Sequence, residues 1–146
     1  MKAISCIHIQ KRGELQVTSR SLLVIDDNDD FTTIVKLFLE LDTDWKIIIA
    51  SDGKEGIVKA RSKQPDSILL DVAMPRLDGI AIYKILKSDL ATRSIPTVFL
   101  TAMIGMEKMV QSQINTDVRV ITKPMGIILL KNRITESCDR YLSLRI

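Results

Sequence analysis

Five side chains in this sequence are of types that do chemistry and sit where apolar runs stop: Asp26, Asp27, Asp71, Thr101 and Lys123. Three carboxylates gathered in one pocket would repel one another, and without a counter-ion one of them would tend to take up a proton. A hard divalent cation relieves that repulsion. Carboxylate oxygens with a backbone carbonyl and waters suit Mg²⁺, which favours near-octahedral oxygen coordination. A single His, His8, and two distant thiols, Cys6 and Cys138, argue against zinc and against a disulfide. A metal held by acids can also accept a phosphoryl oxygen. A hydroxyl and an ammonium nearby supply what positions such a group for in-line transfer.

The pocket exists only if separate parts of the chain bring these residues together. Leu22–Ile25 is a short apolar run of the kind found in strands buried on both faces, and it stops at Asp26-Asp27. Phe31, Ile34, Val35, Phe38 and Leu41 then recur at helical spacing, with Asn28 or Asp29 as N-cap and Asp29 and Asp30 in the first turn. The alternation continues with Ile47–Ile49, a helix turning Ile57, Val58 and Ala60 inward, and Ile68–Leu70 ending at Asp71. A loop from Met74 to Gly79 follows, with Asp78 as N-cap of a helix through Ile80, Tyr83, Ile85 and Leu86. Thr97–Leu100 ends at Thr101, a helix spans roughly 105–114, and Val118–Ile121 ends just before Lys123. The last helix places Ile127, Leu130, Ile134, Cys138 and Tyr141 inward. Strands alternating with helices imply an α/β fold: a doubly wound parallel sheet of five strands with five helices. In such sheets ligands collect outside the carboxyl ends of the strands. Four strand ends thus deliver the acids, the alcohol and the amine to one edge.

Composition narrows the partners. The net charge of +3 comes from Lys2, Lys11, Arg12 and Arg20 against Glu14, so the remainder is neutral and carries no broad nucleic-acid-binding field. Aromatic residues make up 4% of the chain, too few for a base-stacking platform. No apolar stretch approaches a membrane span, and the N-terminus lacks the pattern of a signal peptide, so a cytoplasmic location is expected. Residues 1–20 stand outside the alternation and are read as a flexible leader. The alternative is a small hairpin of Ile7/Ile9 against Leu15/Val17 around Lys11–Glu14. Residues 21–141 form the domain, and 142–146 a tail.

Asp26-Asp27, Asp71, Met74-Pro75-Arg76-Leu77-Asp78-Gly79, Thr101-Ala102 and Lys123-Pro124, in this order and at these separations, resemble the receiver domain of two-component response regulators over roughly 21–141. The likeness is to the single-domain, chemotaxis-regulator-like type. It implies the flavodoxin-like receiver fold with strand order 2-1-3-4-5. It also implies that Asp71 is the phosphoacceptor and a Mg²⁺ ligand. Asp27 would bind the ion directly, Asp26 through a water and Ala73 through its backbone carbonyl. Thr101, the Ala102 amide and Lys123 would hold phosphoryl oxygens, with the Lys123–Pro124 peptide cis. The implied partners are a sensor histidine kinase or phosphotransfer protein and a downstream protein target. A homodimer is compatible; direct nucleic-acid binding and membrane insertion are not expected. The implied role is a stand-alone regulator, not an enzyme beyond its own phosphorylation and dephosphorylation. A shuttle to a second histidine protein and a non-phosphorylated scaffold are the alternatives.

Two departures from the family pattern carry expectations. Val120 stands where many receivers have an aromatic switch residue, so output is expected from the loop and helix around 101–118, on the face between the fourth and fifth helices. Ala73 and Met103 are apolar at positions that bear on phosphoryl lifetime, so hydrolysis is expected to be slow. Two other aspartate-rich or same-fold classes fit less well. A haloacid-dehalogenase-like phosphatase needs a second acid where Ala73 stands. A flavodoxin-like carrier must cradle a phosphate where Asp26 to Asp30 would repel it.

Overall fold

The structure is a computed structural model. It describes residues 7–9 and 15–17 (backbone only), 19–74, 78–103, 105–114, 118–123 and 129–136. Two short strands, β1 (Ile7–Ile9) and β2 (Leu15–Val17), come first. The domain follows as β3 (Ser21–Ile25), α1 (Asp29–Asp42), β4 (Lys46–Ala50), α2 (Gly53–Lys63) and β5 (Ser67–Asp71). It continues as α3 (Gly79–Ser88), β6 (Thr97–Thr101), α4 (Met106–Gln113) and β7 (Val120–Thr122). A last helical stretch, α5, covers 129–136.

The domain's sheet is five-stranded and parallel, in order β4-β3-β5-β6-β7. Counted from Ser21 this is 2-1-3-4-5. Strand alternation divides the core into two layers, because successive side chains of a strand face opposite sides of the sheet. Leu23, Ile25, Ile68, Leu70 and Phe99 pack against Ala60 of α2, Ile80, Ile82, Tyr83 and Leu86 of α3 and Val110 of α4. Leu22, Val24, Leu69, Val98, Leu100 and Ile121 pack against Val35 and Leu39 of α1 and Leu130 and Ile134 of α5. Every residue of β5 and β6 is buried, as the continuous apolar runs require.

Helix starts follow the capping chemistry. Asn28 Oδ1 accepts the Phe31 N–H at 3.0 Å, Asp52 Oδ1 the Glu55 N–H at 2.8 Å and Asp78 Oδ1 the Ala81 N–H at 2.8 Å. Gly56 of α2 lies where a Cβ would stand 2.5 Å from Ile25 Cδ1, so this helix seats closer to β3 than a side chain permits.

The inward face of α1 differs from the periodicity reading. Thr32, Val35 and Leu39 are buried, whereas Ile34, Leu37, Phe38 and Leu41 are exposed. The apolar residues of α1 spread over a wider arc than the sheet meets, so spacing alone does not select the face that is buried. In α2, similarly, small residues (Gly53, Gly56, Ala60) face the sheet and Val58 faces out. In α3 Ile82 is buried and Ile85 is exposed. The last strand runs Val120–Thr122, two residues later than its apolar run begins, with Val118 buried ahead of it.

Within the segment expected to be a flexible leader, β1 and β2 pair antiparallel, Ile7 opposite Val17 and Ile9 opposite Leu15, in the register of the hairpin alternative. Cys6, Cys138, Ile127, Tyr141, the tail and the Lys123–Pro124 peptide bond lie outside the described residues. Among the described residues no helix is long and apolar enough to cross a membrane.

Candidate phosphoacceptor site

β3 and β5 are neighbours in the sheet, so the residues beyond Ile25 and Leu70 emerge side by side. Asp26 is fully buried, its own N–H donating to the Ala50 carbonyl of β4 at 3.1 Å and its Oδ1 accepting from the Asn28 N–H at 2.9 Å. Asp71 closes β5, is 6% exposed, and accepts the Ala73 N–H on Oδ1 at 3.1 Å. Asp27 is exposed. Each of these three acids offers one carboxylate oxygen, and the three oxygens lie within 4.8 Å of one another.

Lys123 is delivered from the opposite flank. Thr101 pairs with Thr122 across β6 and β7, and the Lys123 N–H donates to the Thr101 carbonyl at 2.5 Å. From there the Lys123 ammonium forms an ion pair with Asp26 Oδ2, and it stands 3.8 Å from Asp71 Oδ2. It also lies 4.2 Å from the centroid of the Phe31 ring. Thr101 is buried, and its hydroxyl accepts the Met103 N–H at 3.1 Å. Ala73, Ala102 and Met103 are exposed at the same edge.

The electrostatics agree with the crowding. Burial, reinforced by the charge of Asp26, raises the pKa of the Asp71 carboxyl to about 6, while Lys123 and the Ala73 amide pull it down. A group held this way gains from any added positive charge. The donor set is all oxygen and strongly acidic, which fits a hard divalent cation. All the acids, the lysine and the threonine expected from the sequence therefore sit at one sheet edge.

Two features were not anticipated. Lys123 pairs most closely with Asp26 rather than Asp71, and Phe31 forms a wall beneath its ammonium. The only sequence sign of the latter is an aromatic residue in the first turn after the acidic pair.

The family described as response regulator receiver domain matches residues 22–135. This chain belongs to the response regulator receiver family. The response regulator PleD of Caulobacter vibrioides is 33% identical over 116 residues, which are 80% of this chain and 25% of PleD. The alkaline phosphatase synthesis transcriptional regulatory protein PhoP of Bacillus subtilis is 38% identical over 84 residues, 58% of this chain and 34% of PhoP. The receiver thus spans a quarter to a third of these relatives' length. Among experimental structures, the receiver domain of the Francisella response regulator 1452 superposes with a TM-score of 0.71 at 28% identity, covering 84% of this chain and 98% of its own. Vibrio cholerae chemotaxis protein CheY4 superposes at 0.74 and 22% identity, covering 82% and 99%, a likeness of fold.

Proposed function

We propose that this receiver takes a phosphoryl group from a phosphohistidine onto Asp71 and signals through altered protein contacts. The observation that carries the reading is the meeting of Asp26, Asp27, Asp71 and Lys123 from three strand ends. Asp27 and Asp71 would ligate Mg²⁺ directly, Asp26 through a water and Ala73 through its carbonyl. The bound ion would neutralise the acids and draw in a phosphoryl oxygen. Asp71 Oδ attacks phosphorus in line as the P–N bond to the donor imidazole breaks, and the electron pair leaves with that nitrogen. The Thr101 hydroxyl and the Ala102 amide hold a second phosphoryl oxygen, and Lys123 pairs with the third. The residues do no turnover chemistry on other substrates.

The donor is a sensor histidine kinase or phosphotransfer protein. It has to stand over the sheet edge where α1 begins, and α1 presents Ile34, Leu37, Phe38 and Leu41, exposed by 46 to 80%, along a stripe leading away from that edge. A contiguous apolar stripe of this kind suits docking against a partner helix. Leu37→Glu should slow transfer from a phosphohistidine protein tenfold or more. It should leave uptake from acetyl phosphate unchanged, since an exposed helix position carries little stability. Unchanged transfer from the phosphohistidine protein would place the donor elsewhere, and equal slowing with both donors would mean that the substitution disturbs the site itself.

The direct test incubates the protein with acetyl phosphate and Mg²⁺ and locates any base-labile, acid-stable mass gain. The expected result is one phosphoryl group on Asp71, absent without the ion. Labelling at another residue, or none, would overturn the proposal.

A further inference from the structure

We infer that Phe31 is a positioning residue that holds the Lys123 ammonium against Asp26 and so weakens the site's grip on a divalent cation. The inference rests on the phosphoacceptor reading. The Lys123 ammonium lies 4.2 Å from the ring centroid of Phe31 while it is paired with Asp26 and stands 3.8 Å from Asp71. A cation over an aromatic face is attracted by the ring quadrupole, more so where water is thin. Water is thin here: the Lys123 side chain is 17% exposed and that of Asp26 is fully buried. Nor is the ring free to drift. Phe31 sits in the first turn of α1, its N–H capped by Asn28 Oδ1 at 3.0 Å, and it packs against the core layer that holds Val35 and Leu39.

Asp26 is then the contested group. Its Oδ1 is engaged by the Asn28 N–H and its Oδ2 by Lys123. A divalent ion among Asp26, Asp27 and Asp71 would stand close to the ammonium and repel it, because like charges at such separations interact strongly in a partly buried site. Binding the ion must therefore move the ammonium out of its seat between ring and carboxylate. Whatever the ring adds to that seat opposes metal uptake. An ordinary aliphatic side chain of similar size would support the helix turn equally but would not attract the charge.

Isothermal titration of the 146-residue chain with Mg²⁺, on the wild type, Phe31→Leu and Phe31→Trp, reads the effect directly. The expected result is that Phe31→Leu binds Mg²⁺ about three- to tenfold more tightly, while Phe31→Trp, which keeps the π face, binds no more tightly than the wild type. Proton NMR of the metal-free proteins supplies a second reading. The Lys123 ε-methylene protons should be shifted upfield by the ring in the wild type and lose that shift in Phe31→Leu. A ring that merely props up the helix gives the opposite sign, weaker Mg²⁺ binding on removal, and that result overturns the inference. So does an unchanged affinity, or an ε-methylene shift that survives in Phe31→Leu. A wild type that does not bind Mg²⁺ at all overturns the phosphoacceptor reading itself, whereas a wild type that binds it with Phe31→Leu unchanged overturns only the role of Phe31.

Discussion

Asp71→Asn should stabilise the metal-free protein by about 2 kcal/mol at pH 7.5 while abolishing phosphoryl uptake. Burial and the neighbouring Asp26 hold the Asp71 pKa at about 6, above the 3.8 of an unperturbed aspartate. Between those two values the folded protein binds more of a proton at this position than the unfolded chain does. Stability from this group is thus fully present below about pH 3.8 and is lost as pH rises through about 6. Above that, the buried charge is a standing penalty. Asparagine removes the charge and keeps an oxygen for the Ala73 N–H, which donates to Asp71 Oδ1 at 3.1 Å. Part of the gain is offset by the lost attraction to Lys123, 3.8 Å away. The check is urea unfolding of both proteins in chelator from pH 5 to 8. The stability difference should favour Asp71→Asn increasingly as pH rises through about 6 and then level off. Added Mg²⁺ should shrink or reverse it, because only the wild type keeps all three acids for the ion. A difference independent of pH would mean that Asp71 is not a strained carboxylate.

Gly79→Ala should be costlier than its chemistry suggests, by about 3 kcal/mol of stability, with weakened Mg²⁺ binding alongside. A Cβ at Gly79 would stand 2.2 Å from the Asp71 carbonyl oxygen and 2.8 Å from Val72 Cα. Both are backbone atoms and cannot swing aside as a side chain end could. The Gly79 N–H also donates to the Val72 carbonyl at 2.9 Å, so the start of α3 is stitched to the chain just past Asp71. Relief would push α3 away from β5 or tilt the end of β5, and either moves Asp71 against Asp26. The denaturation midpoint and the Mg²⁺ dissociation constant report the two effects separately. A loss below about 1 kcal/mol with unchanged Mg²⁺ binding would show that α3 shifts without disturbing the strand end.

Strand identity was the most legible feature of the sequence. Apolar runs that halt at Asp26, Asp71 and Thr101 admit little except strands buried on both faces, and each lies in the sheet with the expected neighbours. Two caps were legible too, since Asn28 and Asp78 satisfy helix N–H groups by local geometry alone, whereas the cap at Asp52 came only from the structure. Helix faces were less so. Phe38 and Leu41 share the spacing of core residues yet are exposed, because α1 has more apolar surface than the sheet can cover.

What the order of residue types determined by itself was the alternation of elements, the parallel sheet it forces, and hence the edge at which the acids, threonine and lysine collect. Those follow from periodicity and from strand polarity, which are local properties of the chain. Which oxygen the Lys123 ammonium prefers, that Phe31 lies beneath it, and that Gly79 has no room for a methyl group were decided only in three dimensions. They depend on contacts between segments far apart in the chain, set to within an ångström by how closely the helices seat on the sheet, and no residue's neighbours in sequence encode that distance.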